Sequence, residues 1–280
     1  MHTQHVTAAT LGSGATDTSV TVASQPAAPE YAGPHPWQIA PWARVVRRVM
    51  RHRAYSRYVE QYCRPLHVHG LEHLDGLEGP FVIVANHQSH MDTLVLHEAL
   101  PEWLQDNLFF GAAQDRWYVK GKPKLELQPW YQSMVLGNFP IMRGGGYKAL
   151  DYAGWLLRQG CCLAIFPEGT RATGERLGDF RHGVARLALE CGVPVLPIYL
   201  DGLRAMRPKG QRHVTPGPAA VEILAPLHFA PGTPVAEATL RMWTALNDRH
   251  SHPRPLAPPV RRSAPAPQVV WPLGVMPQGA

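Results

Sequence analysis

His87 and Asp92 stand close together in the stretch VANHQSHMD, Val84 to Asp92, where an apolar run gives way to polar residues. A carboxylate hydrogen-bonded to one imidazole nitrogen fixes the tautomer and stabilises the imidazolium. The other nitrogen is then left to take a proton from a hydroxyl. On a regular helix, residues five apart lie about 140° around the axis and do not face one another. A strand ending near Asn86 and a helix starting near Ser89 or His90 remove that obstacle, because His87 can fold back over the first helical turn toward Asp92. The competing interpretation is a packed histidine beside an aspartate that complements a helix dipole.

A second group of chemically apt residues, Glu168, Gly169, Thr170 and Arg171, lies in FPEGTR, directly after the apolar run CCLAIF. Gly169 permits a positive φ and close backbone approach, and Arg171 presents a planar fork suited to two phosphate oxygens. Arg143 borders a glycine-rich loop in GNFPIMRGGG. Taken singly, each of these loops reads as a plain turn or a surface salt bridge. His67 and His69 point to one side of a strand, but the sequence places no third ligand near them, so no metal site is expected. His90 and His97 read as residues that pack or face solvent.

To bring these residues together, the chain has to alternate strands and helices, and it does so from residue 66 onward. PFVIVAN, CCLAIF and VPVLPIYL read as buried strands, LHVHGLEHL as a short strand and turn, and AAVEILAPL as a late strand. MDTLVLHEAL and RHGVARLALECG read as helices, the second closed by Gly192. TPVAEATLRMWTALNDR reads as a third helix, with Thr233 as its cap and Pro234 at its first position. The alternation predicts one α/β domain over residues 65–250, with a largely parallel central sheet flanked by helices. In such sheets ligands gather where strands end. Between the strands, Trp117, Trp130 and Tyr131 offer an apolar groove or core edge, and Lys120, Lys122 and Lys124 a basic loop.

Residues 36–64 form a separate segment. Trp42, Val45, Val49, Tyr55, Val59 and Tyr62 recur at helical spacing among Arg44, Arg47, Arg48, Arg51 and Arg57. Such a basic amphipathic helix suits an anionic bilayer interface, its arginines near phosphates; it equally suits a helix packed on the domain. Residues 1–35 and the Pro-rich residues 251–280 carry few large apolar side chains and are expected to be disordered tails.

The net charge of +6 calls for an anionic partner. The arginines cluster on one helix ahead of the fold with no recognition motif, which argues against nucleic acid. Cys63, Cys161, Cys162 and Cys191 show neither zinc-type spacing nor the density of a secreted scaffold, consistent with a reducing compartment. No signal peptide is evident, and no apolar run reaches the ~18 residues of a membrane span.

Together, NHQSHMD, GNFPIMR, FPEGTR and VPVLPIY, in that order, resemble the four blocks of the glycerolipid acyltransferase family, typified by 1-acylglycerol-3-phosphate O-acyltransferases. The likeness extends over roughly residues 66–230 and includes FRHGVARLA. The second block departs from the usual pattern at Asn138, Phe139 and Pro140. The resemblance implies that His87 is a general base oriented by Asp92, and that an acceptor hydroxyl attacks the thioester of acyl-CoA or acyl carrier protein. Neither a metal nor a cofactor takes part. It associates Gly137, Arg143, Glu168, Gly169 and Arg171 with the glycerol phosphate portion of the acceptor. Asn86, Ser89 and Thr170 are supporting neighbours, and Pro194 and Pro197 structural or acyl-site residues. The expected partners are the acyl donor, a lysophospholipid acceptor and the anionic inner face of a membrane, with the protein held there peripherally from the cytoplasm. The alternatives are the same transfer to another lipid or secondary-metabolite hydroxyl, and a catalytically silent lipid-binding relative.

Overall fold

Short runs of Val, Ile, Leu and Phe bounded by Gly or Pro become strands because a sheet covered on both faces buries every residue of such a run. The computed structural model describes residues 33–77, 79–118, 128–144, 149–171, 176–208, 211, 213–252, 254 and 256. Most of the two expected tails, and Lys120, Lys122 and Lys124, lie outside the described residues.

The strands are β1 (Cys63–His69), β2 (Val82–Ala85), β3 (Leu108–Ala113), β4 (Asn138–Ile141), β5 (Cys162–Ile165), β6 (Val195–Asp201) and β7 (Gly217–Ile223). They form one seven-stranded sheet in the order β1-β7-β6-β2-β5-β3-β4. All neighbouring pairs are parallel except β6 and β7. The helices are α1 (Pro41–Arg51), α2 (Arg57–Tyr62), α3 (Asp92–Ala99), α4 (Glu102–Gln105), α5 (Gln114–Trp117), α6 (Pro129–Met134), α7 (Asp151–Arg158), α8 (Gly183–Cys191), α9 (Leu203–Met206) and α10 (Val235–Ser251). The expected α/β class with a largely parallel sheet is what the chain adopts.

Alternation along the strands supplies two cores. Ile83 and Phe110 pack with Tyr55, Leu94 and Leu196 on one face. Val82, Val84 and Phe109 pack with Leu156, Val184 and Met242 on the other. Each large side chain so buried contributes about 1.5–3 kcal/mol. From β2 the chain passes through α3 on the first face to β3; from β5 it passes through α8 on the second face to β6. Since β2 and β5 are neighbours whose connections leave in opposite directions, their carboxyl ends border a crevice. The two polar motifs lie at those two ends.

The segment ahead of the sheet departs from its expected form. A π-helical turn, His52–Ser56, separates α1 from α2, and the single apolar stripe divides there. Tyr55, Tyr58, Val59 and Tyr62 are buried, whereas Trp42, Val45, Val46, Val49 and Met50 are 37 to 58% exposed. Arg47 and Arg51, expected among the outward-facing cations, point inward and are 1% and 2% exposed. Arg47 donates to the carbonyls of Gln38 and Met134, and Arg51 to those of Gln105, Leu108 and Leu136. Burial depresses these guanidinium groups to about 9 and about 10. Gly137 makes the arrangement possible: at φ +62, a Cβ there would come within 2.1 Å of Arg51 Nη2. Thr233 also departs from expectation. Its hydroxyl donates to Ala230 O instead of capping α10, and Pro234 occupies the cap position. No helix among the described residues is long and apolar enough to cross a membrane.

Candidate active site

β2 delivers Asn86 and His87 to the crevice, and the backbone turns at once into α3, whose first residue is Asp92. Asn86 fixes the exit. Its side chain donates to Leu200 O at 2.9 Å and accepts from Leu200 N at 2.7 Å, tying the end of β2 to β6 as a further ladder rung would. The turn brings His87 Nδ1 to 2.7 Å from Asp92 Oδ2. Asp92 is fully buried, and its carboxylate also accepts the backbone N–H groups of Gln88, at 2.6 Å, and Ser89, at 2.9 Å. A carboxylate held by two amides accepts from Nδ1–H, which leaves the lone pair on Nε2. Ser89, fully buried, donates its hydroxyl to Arg207 O at 3.3 Å.

The other strand end supports the same imidazole. Phe166, last before the PEGTR turn, stacks on the His87 ring at 4.3 Å between centroids. Glu168 Oε1 accepts the His87 backbone N–H at 2.8 Å, and Oε2 accepts that of Gly178 at 3.1 Å. Burial raises the Glu168 carboxyl above its ordinary range. Gly169, at φ +69, leaves room for Arg181, whose Nε would lie 2.8 Å from a Cβ at that position.

His87 opens onto a cavity of about 630 Å³. Arg116, Arg143, Arg171 and Arg181 line it, and no aspartate or glutamate does among the described residues. Arg143 is paired with Asp115, its Nε 3.0 Å from Oδ1. Arg171 is largely buried, and its guanidinium is lowered by burial and by Arg116 and Arg207 nearby. His90 also lines the cavity, edge-on to Trp117. Burial, with Arg171, Arg116 and Arg207 around it, drives the His90 imidazole down to about 3, so it is neutral at physiological pH. Apolar side chains, among them Leu94, Phe110, Leu136, Ile141, Ile165 and Val184, make up much of the remaining wall, together with the polar Thr93, Asn138 and Thr170.

Of the residues nominated from sequence, His87, Arg143, Gly169, Thr170 and Arg171 line the cavity. Asn86, Ser89, Asp92 and Glu168 stand behind them as described. Gly137, Pro194 and Pro197 belong to the framework. Gly137 makes room for the buried arginines, Pro194 O accepts from Val82 N, and Pro197 lies in register with Val84. The resemblance associates Gly137 and Glu168 with the acceptor, yet neither lines the cavity, and both Glu168 oxygens are taken by backbone amides. Sequence reasoning passed over Tyr55, Arg116, Phe166 and Arg181. Phe166, the first residue of FPEGTR, and Arg181, within FRHGVARLA, lay in recognised stretches, whereas Tyr55 and Arg116 carried no such signal. His97, by contrast, packs in the core as expected, and among the described residues no cluster of metal-ligating side chains occurs.

Comparison with known proteins gives consistent matches. Residues 65–201 match the family model described as Acyltransferase. The chain is 31% identical over 150 residues to a chloroplastic 1-acyl-sn-glycerol-3-phosphate acyltransferase of Brassica napus, covering 52% of this chain and 40% of that protein. It is 31% identical over 167 residues to a chloroplastic counterpart of Arabidopsis thaliana, covering 58% and 44%. It is 28% identical over 173 residues to the alpha form from Mus musculus, covering 60% and 56%. The chain thus spans about half the length of the curated relatives it matches. The fold is similar to that of the 1-acyl-sn-glycerophosphate acyltransferase PlsC from Thermotoga maritima, with a TM-score of 0.55 at 22% identity, over 75% of this chain and 78% of that one.

Proposed function

The chain belongs, through residues 65–201, to the glycerolipid acyltransferase family, and we propose that it transfers a fatty acyl group from a thioester to the free hydroxyl of lysophosphatidate, giving phosphatidate. The observation that carries this reading is the His87–Asp92 pair opening onto a cavity whose lining combines four arginines with apolar side chains. The arginines suit a phosphate and the apolar side chains an acyl chain.

In the proposed reaction, His87 Nε2 takes the hydroxyl proton as the oxygen attacks the thioester carbonyl. The tetrahedral intermediate then collapses, the C–S bond breaks, and the thiolate leaves with the proton held by the imidazolium. An ester and a free thiol result. The step calls for no metal or cofactor; acyl-CoA or acyl carrier protein is a substrate. The first test is thiol release from oleoyl-CoA with lysophosphatidate, with extraction of the lipid product. Phosphatidate is the expected product. Thiol release with an unrelated hydroxyl acceptor, and none with any glycerolipid, would keep the reaction and overturn the acceptor.

Substrate and product both reside in a bilayer, and we place the protein peripherally on its cytoplasmic face. Support comes from α1, which turns Trp42, Val45, Val46, Val49 and Met50 outward while its buried arginines hold its inner face to the domain. Trp103 and Trp130, on α4 and α6, are also about half exposed. An apolar helix face of this size, rimmed by exposed Arg48, Arg53 and Arg57, suits an anionic interface. Replacing Trp42, Val45 and Val49 together by serine is expected to lower partition onto phosphatidylglycerol vesicles at least tenfold in co-sedimentation, at unchanged circular dichroism. Undiminished binding would remove α1 from the interface.

A further inference from the structure

Glu168 holds the turn after β2 only as firmly as its own partner is held. That partner is Gly178, whose N–H meets Glu168 Oε2 at 3.1 Å. Residues 176–181 form neither helix nor strand, so their backbone groups have to be satisfied by other parts of the chain. Arg181 N donates to Pro167 O at 3.0 Å, which returns the stretch to the PEGTR turn. Further anchors come from α10.

Trp243 Nε1–H donates to Gly178 O at 3.2 Å. The Thr239 hydroxyl donates to Val235 O at 2.8 Å, so its oxygen accepts from His182 Nδ1–H at 2.9 Å. Trp243 and Thr239 are four residues apart and share one face of the helix. α10 is a firm support for both. Ala238, Met242 and Leu246 are fully buried in the second core, and Trp243 and Leu177 pack against that same core.

Gly178 is thereby gripped through both of its backbone polar groups, the N–H by Glu168 and the carbonyl by Trp243. It also sits too close to the carboxylate for a side chain, since a Cβ there would lie 2.8 Å from Glu168 Oε2. The line of contacts runs from Trp243 through Gly178 and Glu168 to the backbone N–H of His87, the residue that carries the base. A loop free at its outer end would let Glu168 drift, and the imidazole with it.

We infer that Trp243 is a positioning residue for the proton transfer, holding His87 through Gly178 and Glu168. It makes α10, which lies beyond the matched residues 65–201, part of the catalytic apparatus. This rests on the acyl-transfer reading and adds to it a residue outside the cavity lining.

The test begins with Trp243→Phe, which keeps an aromatic ring and removes the N–H. Thiol release from oleoyl-CoA over a range of lysophosphatidate concentrations should show kcat lowered roughly three- to tenfold, the span of one hydrogen bond, with KM changed less than about twofold. Placed in Glu168→Gln, the same substitution should lower kcat by less than about twofold more, because whichever side of the clamp the glutamine opens, the line from Trp243 to His87 is already broken. A Trp243 that only fills the core would lower the thermal midpoint and leave kcat per folded molecule unchanged. That result overturns the inference, and so does an undiminished effect of Trp243→Phe in the Glu168→Gln background. If the phenylalanine variant does not fold, Gly178→Ala decides. Its Cβ must displace either the carboxylate or the loop; a loop pinned by Trp243 gives no room, so kcat should fall at least about tenfold as the base is shifted. A loop that is not pinned would move aside, and kcat close to that of wild type in Gly178→Ala overturns the inference. If wild type transfers from no thioester, the acyl-transfer reading falls and this inference with it, an outcome distinct from an active enzyme whose kcat ignores Trp243.

Discussion

His87→Ala is expected to lower kcat for phosphatidate formation by about 10²–10⁴-fold, the usual contribution of a positioned general base, with little change in KM. The His87 imidazole brings to the cavity a lone pair backed by a fully buried carboxylate, and its alanine replacement leaves the rest of the wall intact. The fold should survive, because the lost side chain is 21% exposed and the bonds of Asp92 to Gln88 N and Ser89 N remain. Asp92→Asn should be as damaging for a different reason. Its amide nitrogen cannot accept from Nδ1–H or from a backbone amide, so the tautomer and the turn both suffer. Steady-state thiol release, with product extraction and a thermal melt for each variant, checks both. Retention of kcat within a few fold in His87→Ala would leave His87 a packed histidine and move the proton transfer elsewhere.

How much of this was legible in the sequence depends on how local each cause is. The chemistry around His87 was readable because its parts lie within six residues and one turn, and the strand before it is a plain apolar run. β5 and β6 were readable for the same reason. β3 and β4 were not. Gly111 interrupts the first, and Pro140 sits inside the second, where a missing N–H is tolerated because β4 forms the edge of the sheet. Edge position is a property of the whole sheet, which no window of sequence contains. The orientation of α1 was hidden too. Arginine is ordinarily an outward residue, and Arg47 and Arg51 are turned inward by carbonyls of residues 108 and 133–136, which come into reach only after folding. The π turn that splits the apolar stripe begins immediately after Arg51, between the docked arginines and the buried Tyr58, Val59 and Tyr62. Of the site itself, the motif blocks and FRHGVARLA located most of the wall, whereas Arg116 became visible only when β3 was set beside it.

Glu168 shows why a residue's motif does not determine its work. Family resemblance associates it with the acceptor, but an acidic group is ill suited to hold a phosphate, and its two oxygens are occupied by His87 N and Gly178 N. One carboxylate thereby clamps the turn after β2 to the loop after β5, and the base is held from its backbone as well as from its ring. Glu168→Gln keeps the size but sets an amide N–H₂ against one of the two N–H groups, so one side of the clamp must open. A displacement of about 1 Å at the base costs on the order of 10² in rate. The expected result is a fall in kcat of about that size, with KM for lysophosphatidate changed less than roughly threefold and thermal stability lowered modestly by the unpaired amide. A residue that touched the acceptor would give the opposite split, a raised KM at nearly constant kcat. Kinetics over a range of lysophosphatidate concentrations separate the two, and the second pattern would return Glu168 to the binding surface and leave Phe166 and Asp92 as the groups that orient His87.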